Sequence, residues 1–394
     1  MKIKTSKNTL LVLDAIPFFG GSKVATKAIL RQLISKNIHI SILSEDPQAW
    51  EDIEVTTYKL PKLPIVWRSE TGLSYYIKHF WIGIFLLFTW LRSGRSTSVL
   101  GTSGPGVDLS IYMFKVLFPG SVSCLQLVHG PVGKSRTIAR CLIQADLVAH
   151  LDSTKASMEN AMTSLMPRHA ISYFFSDNKF QRMINGIPNS LWPTPTNSDF
   201  TSAKCLWAAS LLKWKGLHYL ANALSYFPTN STPESVLCYI PAKHTDLPLS
   251  DLPEGIPNME KYESPSDLDR IRASCNIFIS TSDKEPFGMS ILEAMASGLC
   301  IVIPSDGAYW DQVLKNDIDC IKYSPRNSKD LCRKLNDLCK NMGKAKQLGE
   351  NAAKKALNYR AETCYSAVCL AIEKSVSHTT FCEPKSEVSP TSLG

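Results

Sequence analysis

The sequence predicts an α/β protein made of two successive domains, each built around a parallel sheet. Three observations predict it. The chain has 394 residues, and at about 100–200 residues per domain that length suits two. Short apolar runs alternate with helical stretches, which implies parallel strands covered on both faces. A stretch rich in Pro, Asn, Ser and Thr, 185–202, interrupts the series near its middle and reads as an interdomain linker.

The elements follow in order. Leu10–Ala15 reads as a first strand, followed by Pro17, a Gly20-Gly21 turn and a helix near Lys23–Lys36. Ile38–Leu43 is the next strand. Val99–Thr102 is another, closed by Ser103-Gly104-Pro105-Gly106, and Val122–Val128 ends at His129-Gly130. Val148–Leu151 follows a helix near Ile138–Ala145. After the linker, strands are expected at Lys204–Ala209, Val236–Ile240, Cys275–Ser280 and Cys300–Pro304. Helices are expected at Lys329–Asn341, Ala345–Leu357 and Ala361–Lys374. The tail, Val376–Gly394, is rich in Ser, Thr and Pro and is expected to be disordered.

Composition narrows the class. Hydrophobic residues make up 44% and charged residues 20%, enough apolar material for two cores. The 12 cysteines form no CxxC and no zinc-like spacing with histidine. Several sit in apolar runs, as Cys275 and Cys300 do, and read as small buried hydrophobes in a reducing compartment. The net charge is +8, and it is uneven: residues 1–185 hold 21 Lys/Arg against 12 Asp/Glu, while the rest is nearly neutral. A basic half suits an anionic membrane surface, nucleic acid or an anionic substrate. The sequence has no recognised nucleic-acid reader motif, so nucleic acid is not expected as a partner. The start has a short apolar run but no small-residue cleavage site, so it reads as a core strand rather than a secretory signal. Phe80–Leu91 is apolar for twelve residues between polar flanks. A spanning helix needs about 20, so a buried helix is expected, with contact to a bilayer surface as the second reading.

The strongest chemical signal is Glu285-Pro286-Phe287-Gly288, running on to Glu293 and Gly298. A buried strand ends at Thr281-Ser282, a polar loop follows, and a helix near Gly288–Ser297 is stopped by Gly298. In open α/β sheets ligands bind at the carboxyl ends of strands. The amides of Gly288, Met289 and Ser290 form a helix start, which favours an anion. Gly288 lets a phosphate approach the backbone closely. Glu285 can reach sugar hydroxyls, and Glu293, about two turns on, can accept from ribose hydroxyls. Lys215-Gly216, in the loop after the strand Lys204–Ala209, suits a diphosphate leaving group whose charge grows as a glycosidic bond breaks. Lys134, Arg136 and Arg140 cluster after His129 and are candidates for a phosphate-bearing acceptor or lipid. Asp267-Leu268-Asp269 lies in a helical stretch, and no metal site is expected.

These motifs resemble the E-x7-E signature of retaining GT-B glycosyltransferases, specifically glycosyltransferase family 4. The likeness runs from about residue 10 to 374 and is stronger in the second half. It implies two Rossmann-like domains facing across a cleft. The acceptor domain would be 1–188 and the donor domain 189–358. A helix at 359–375 would cross back to the first domain, and 376–394 would form the tail. It implies that Glu285 engages the donor sugar and Glu293 the ribose, with Phe287, Gly288, Met289 and Ser290 beside the donor. The family usually places an arginine and a lysine on the diphosphate. Lys215 matches the lysine, whereas Ser210 stands where the arginine is usual, with Lys213 a candidate to compensate. Gly20-Gly21, after Phe18-Phe19, resembles the glycine loop against the donor phosphates. His129 resembles the histidine near the transferred sugar, and Asn185-Gly186-Ile187-Pro188 a hinge turn.

The expected function is retaining, metal-independent hexosyl transfer from a nucleotide-diphosphate sugar, used as a co-substrate with no cofactor. The acceptor would be a glycan or lipid-linked hydroxyl in polysaccharide, lipopolysaccharide or glycolipid synthesis. The expected location is cytoplasmic, with possible peripheral contact at the inner face of the membrane through the first domain. The alternatives are a non-catalytic scaffold, which Ser210 favours, and a nucleotide-sugar epimerase.

Overall fold

The computed structural model describes residues 8–17, 20–64, 67, 70–241 and 247–378. Its contacts divide the chain into two units. One holds residues 1–150, 154–182 and 367–394, and the other 151–153 and 183–366.

The first unit is built on seven strands in the order β3-β2-β1-β4-β5-β6-β7. These are β1 (Thr9–Asp14), β2 (His39–Ser44), β3 (Thr56–Lys59), β4 (Ser98–Gly101), β5 (Ser123–Val128), β6 (Leu147–Leu151) and β7 (Phe180–Met183). β1 pairs in parallel with both β2 and β4, so the strand order reverses at that point. The helices are α1 (Gly21–Ile34), α2 (Gly72–Arg92), α3 (Leu109–Leu117), α4 (Arg136–Gln144), α5 (Asp152–Met162) and α6 (Arg168–Phe174). Four consecutive β1 residues, Leu10–Leu13, are fully buried, as burial on both faces of a parallel strand demands. A core of Leu11, Leu13, Leu86, Trp90, Phe114 and Leu142 lies beneath the helices.

The second unit has six strands in the order β10-β9-β8-β11-β12-β13, and every neighbouring pair is parallel. They are β8 (Lys204–Ser210), β9 (Glu234–Ile240), β10 (Met259–Glu263), β11 (Ile277–Ile279), β12 (Cys300–Pro304) and β13 (Ile321–Tyr323). The helices are α7 (Leu217–Ser225), α8 (Leu268–Ala273), α9 (Met289–Ala296), α10 (Tyr309–Val313), α11 (Ser328–Cys339), α12 (Met342–Ala356) and α13 (Ala361–Cys364), while α14 (Ser366–His378) belongs to the first unit from Ala367 on. The α/β class with two Rossmann-like parallel sheets is the fold the sequence predicts.

Asn185–Pro188, read as a hinge turn, follows just after the boundary between the two units. It lies inside the second unit, where Ile187 bridges Arg360 and a Cβ on Gly186 would stand 2.8 Å from the Tyr359 carbonyl. Three readings need correction. The last helix is not continuous. It breaks at buried Tyr365, whose hydroxyl donates to Asn185 Oδ1 (3.2 Å) and accepts from the Gly186 amide (3.1 Å). Its second part, α14, runs to His378 and buries Val376, so order extends past the expected start of the tail. The apolar helix at 80–91 is not simply buried. α2 buries His79, Ile82, Leu86, Thr89 and Trp90, and exposes Leu73, Tyr76, Ile77, Phe80, Phe88 and Leu91. Among the described residues no helix is long and apolar enough to cross a membrane. The eleven described cysteines are all free, and eight are buried.

Candidate active site

The candidate residues of the second unit gather where β8 and β11, neighbours in the sheet, end. The loop after β8 is pinned by backbone bonds from Lys213 to the Pro248 carbonyl and from Ser250 to the Leu211 carbonyl, each 2.7 Å. It is also tied to the loop after β11. The Asp283 amide donates to the Trp214 carbonyl (2.8 Å), and Thr281 Oγ1 donates to the Lys215 carbonyl (2.8 Å) while accepting from Trp207 Nε1 (2.9 Å). Gly216 makes this approach possible. Its φ is +72°, and a Cβ there would lie 2.1 Å from the Thr281 carbonyl oxygen.

Lys215 is thereby aimed at Glu285. Its Nζ lies 2.5 Å from Glu285 Oε2 and 4.0 Å from the Trp214 ring centroid. The two side chains expected on different parts of a donor therefore hold each other. Gly288, at φ +82°, lets the Glu285 side chain fold back across it, since a Cβ would meet Glu285 Cγ at 2.9 Å. The Gly288 carbonyl accepts from Ile291 (3.1 Å) and Leu292 (3.3 Å), so the ladder of α9 starts there. Met289 and Ser290 precede that ladder, and both residues are partly exposed. Phe287 is buried against Tyr309, Trp310 and Tyr359, and Trp310 Nε1 donates to the Gly288 carbonyl at 3.3 Å. Its ring thus props the helix start by packing.

Glu293 has a partner that the sequence reading missed. Arg272, buried at the end of α8, donates to Glu293 Oε2 at 2.5 Å and to Asp269 Oδ1 at 3.0 Å. Burial pushes the Glu293 carboxyl up, the Arg272 guanidinium pulls it down and Asp269 adds to the rise, leaving it above the ordinary range. The available signal was a pair of arginines, Arg270 and Arg272, on the helix before β11. Asp269, read as a surface cap, also accepts from Thr194, and Asp267 pairs with Arg270. Ser210 ends β8 opposite Ile240, and Lys213 is exposed. A hollow of about 440 Å³ lined by Asp317, Asn341, Lys344 and Asn351 lies before β13, at the amino end of the same sheet, away from these residues.

In the first unit the structure brings Thr26, in the helix that Gly20 and Gly21 open, to His129. Gly20 is extended and its carbonyl accepts from Lys23 (3.0 Å) and Val24 (3.2 Å), opening α1 at Gly21; Phe18 and Phe19 lie outside the described residues. Thr26 Oγ1 donates to the Ser22 carbonyl (2.9 Å) and lies 3.3 Å from His129 Nε2. The single hydroxyl proton is used on Ser22, so Nε2 is the donor to Thr26 and Nδ1 carries the lone pair. Nδ1 is buried without a partner among the described residues, and burial pulls the imidazole down to about 4. His129 is therefore neutral at physiological pH.

Two buried acids brace this edge and were not anticipated. Asp14 holds Lys23 (3.0 Å), Ser44 Oγ (2.8 Å) and Trp50 Nε1 (2.9 Å), while Lys23 also donates to the Ile16 carbonyl (3.0 Å). Asp108 accepts from the amides of Ser103 (2.7 Å) and Gly104 (3.0 Å) and from Gln126 Nε2 (2.7 Å), and burial pushes it up to about 7. Lys134, Arg136 and Arg140 are exposed on the loop and first turns of α4, which Ser135 caps through the Thr137 amide.

Two successive parallel, Rossmann-like sheets are the architecture of the GT-B fold class. Residues 192–355 match the family model described as Glycosyl transferases group 1. Of solved structures, Anabaena HepE in complex with UDP and glucose matches with a TM-score of 0.67 at 15% identity, covering 92% of this chain and 98% of that one. A glycosyltransferase from Rickettsia africae matches with 0.67 at 15%, covering 94% and 99%. The lipopolysaccharide outer core galactosyltransferase WaaB matches with 0.61 at 14%, covering 95% and 99%. A curated relative from Campylobacter jejuni, N,N'-diacetylbacillosaminyl-diphospho-undecaprenol alpha-1,3-N-acetylgalactosaminyltransferase, is 36% identical over 94 residues. That match spans 24% of this chain and a quarter of the relative's length. The fold is GT-B, and residues 192–355 are similar to glycosyltransferases of group 1.

Proposed function

We propose that the chain is a retaining glycosyltransferase that moves a hexose from a nucleotide-diphosphate sugar to a hydroxyl acceptor. One observation carries the reading: Lys215, Glu285 and the start of α9 converge at the carboxyl edge of the second sheet, with Glu293 set further along the same helix. An ammonium and a helix start suit a diphosphate, and carboxylates suit hydroxyls. Glu285 orients the sugar, Glu293 takes the ribose while Arg272 fixes its carboxylate, and Lys215 neutralises the leaving diphosphate. The departing diphosphate helps to deprotonate the acceptor on the same face, so configuration is retained and no protein nucleophile is needed. Neutral His129 serves the transferred sugar as a hydrogen-bonding group rather than as a cation. Transfer runs without a metal ion.

The acceptor is proposed to be lipid-linked, at the inner face of the membrane, in glycolipid or polysaccharide synthesis. Three features of the first unit support this: its basic excess, the exposed Lys134, Arg136 and Arg140, and the exposed apolar stripe of α2. The Campylobacter relative, whose name includes a diphospho-undecaprenol, agrees with it.

A thermal-shift panel of nucleoside diphosphates and their sugars tests the donor assignment, since a ligand of the folded state raises its apparent stability. The wild type is expected to respond to one nucleotide series, and Glu293→Ala to lose that response. Equal responses of both proteins to every ligand would sink the assignment.

A further inference from the structure

Lys215 and Glu285 form a close, shielded pair: 2.5 Å apart, with side chains only 17% and 15% exposed. An exposed pair is screened and worth little, but a shielded pair leaves an uncompensated charge when one partner is taken away. Among the described residues neither has a second ion-pair partner, and the neighbouring Asp283 is committed to Arg326 at 2.9 Å. A diphosphate arriving at Lys215 therefore competes with Glu285 for one ammonium. It also brings negative charge toward a carboxylate that is losing its cation.

We infer that Glu285 is a discriminating latch, competing with free nucleoside diphosphate for Lys215 and yielding only to a donor that still carries its sugar. The inference rests on the donor reading above. A sugar nucleotide offers hydroxyl protons to the displaced carboxylate, and free diphosphate offers none. Loss of the sugar at the end of a turnover leaves the product facing an unsatisfied Glu285, which recaptures Lys215 and favours release. The consequence has the opposite sign to that of an ordinary contact residue. Removing the charge of Glu285 strengthens binding of free diphosphate and erases the preference for the sugar nucleotide.

The test is calorimetric titration of the full chain with UDP, ADP and GDP and with UDP-glucose, ADP-glucose and GDP-mannose. Glu285→Gln is expected to bind the free diphosphate favoured by the wild type about tenfold more tightly, or about 1.4 kcal/mol. Its affinity for the matching sugar nucleotide stays the same or falls. Glu285→Asp keeps the charge but is a methylene too short for the contact, and moves in the same direction by less. It decides the question if Glu285→Gln shows no cooperative thermal transition. Lys215→Met loses both ligands. The latch is overturned if Glu285→Gln and Glu285→Asp bind free diphosphate no more tightly than the wild type while Lys215→Met still abolishes binding. A wild type that binds none of the six overturns the donor reading itself, and the latch with it.

Discussion

The two units share an architecture and differ in what their carboxyl edges carry. In the second unit the edge is charged, with Lys215 held by Glu285 and Arg272 held by Glu293. In the first, the groups brought together are neutral: the Gly20-Gly21 opening of α1, Thr26 and an imidazole kept uncharged by burial. Nearby charges include Lys23, locked in the core with Asp14, and the exposed Lys134, Arg136 and Arg140 at α4. On the donor reading proposed above, the charged edge suits a diphosphate leaving group. A neutral edge suits a hydroxyl that must be approached without being ionised in advance. The contrast predicts that mutations fall on different observables in the two units.

The largest expected effect is on chemistry in the second unit. Lys215→Ala removes the side-chain cation assigned to the leaving group and is expected to cut kcat/KM about 10²–10³-fold, the range for losing a preorganised charge stabiliser. His129→Asn is expected to cost far less, because a neutral hydrogen-bonding group is replaced by another. Steady-state rates with the donor identified by thermal shift compare the two. Equal losses would erase the distinction between the edges. Next in size is Gly216→Ala, where a left-handed backbone and a carbonyl 2.1 Å from the new Cβ both oppose substitution. A loss of about 3 kcal/mol or more is expected in chemical denaturation. Gly83→Ala on α2, which has open space around it, is the control and is expected to be neutral or slightly stabilising.

The same contrast explains what was legible in the sequence. The nine strands read in advance are the interior ones, such as Leu10–Leu13 in β1 and Cys300–Ile303 in β12, whose burial on both faces leaves an unbroken apolar run. The four not read, β3, β7, β10 and β13, are the edges of the two sheets. They carry residues such as Lys59, Arg182, Lys261 and Lys322, the kind of charge that discourages pairing at an open edge and that hides a strand from a hydropathy pattern. The candidate site divides similarly. Glu285, Gly288 and Glu293 stand in one local motif, so spacing revealed them. Arg272 lies 21 residues before Glu293, and Thr26 lies 103 residues before His129. Those pairings exist only once the sheet has brought separate segments together.

A smaller effect separates the units by pH. His129 is held down to about 4, and His79, buried against Ser110 in the same unit, to about 3, against an ordinary value of 6.5. As pH falls below about 6.5 the unfolded chain takes up protons that the folded first unit refuses. The contribution of these two imidazoles to stability is therefore present above pH 6.5 and declines toward 4, while buried Asp108, raised to about 7, acts in the opposite sense over that window. His129→Gln, neutral throughout, is expected to be more stable than the wild type by about 2–3 kcal/mol at pH 4.5, relative to the difference at pH 7.5. Parallel thermal unfolding curves at both pH values would show instead that the imidazole titrates freely.

The smallest change in folding stability is expected where the first unit faces outward. Phe80 and Phe88 are 61% and 58% exposed, eight residues and roughly 80° apart on α2, within one exposed stripe. Side chains this exposed contribute little to the core, so Phe80→Ser with Phe88→Ser is expected to change unfolding free energy by only about 0.5 kcal/mol. If the stripe enters a bilayer surface, the same pair of changes removes most of its apolar anchor, and each buried methylene-sized group is worth about 0.8 kcal/mol. Flotation with vesicles containing anionic lipid should then fall about tenfold or more for the double variant. Reversal of Lys134, Arg136 and Arg140 to glutamate should weaken it in a salt-dependent way. A protein that floats equally on neutral and anionic vesicles, or whose double variant floats like the wild type, would assign the stripe and the basic cluster to something other than a membrane. The charged edge of the second unit would keep its role, because nothing in the donor assignment depends on how the first unit meets its acceptor.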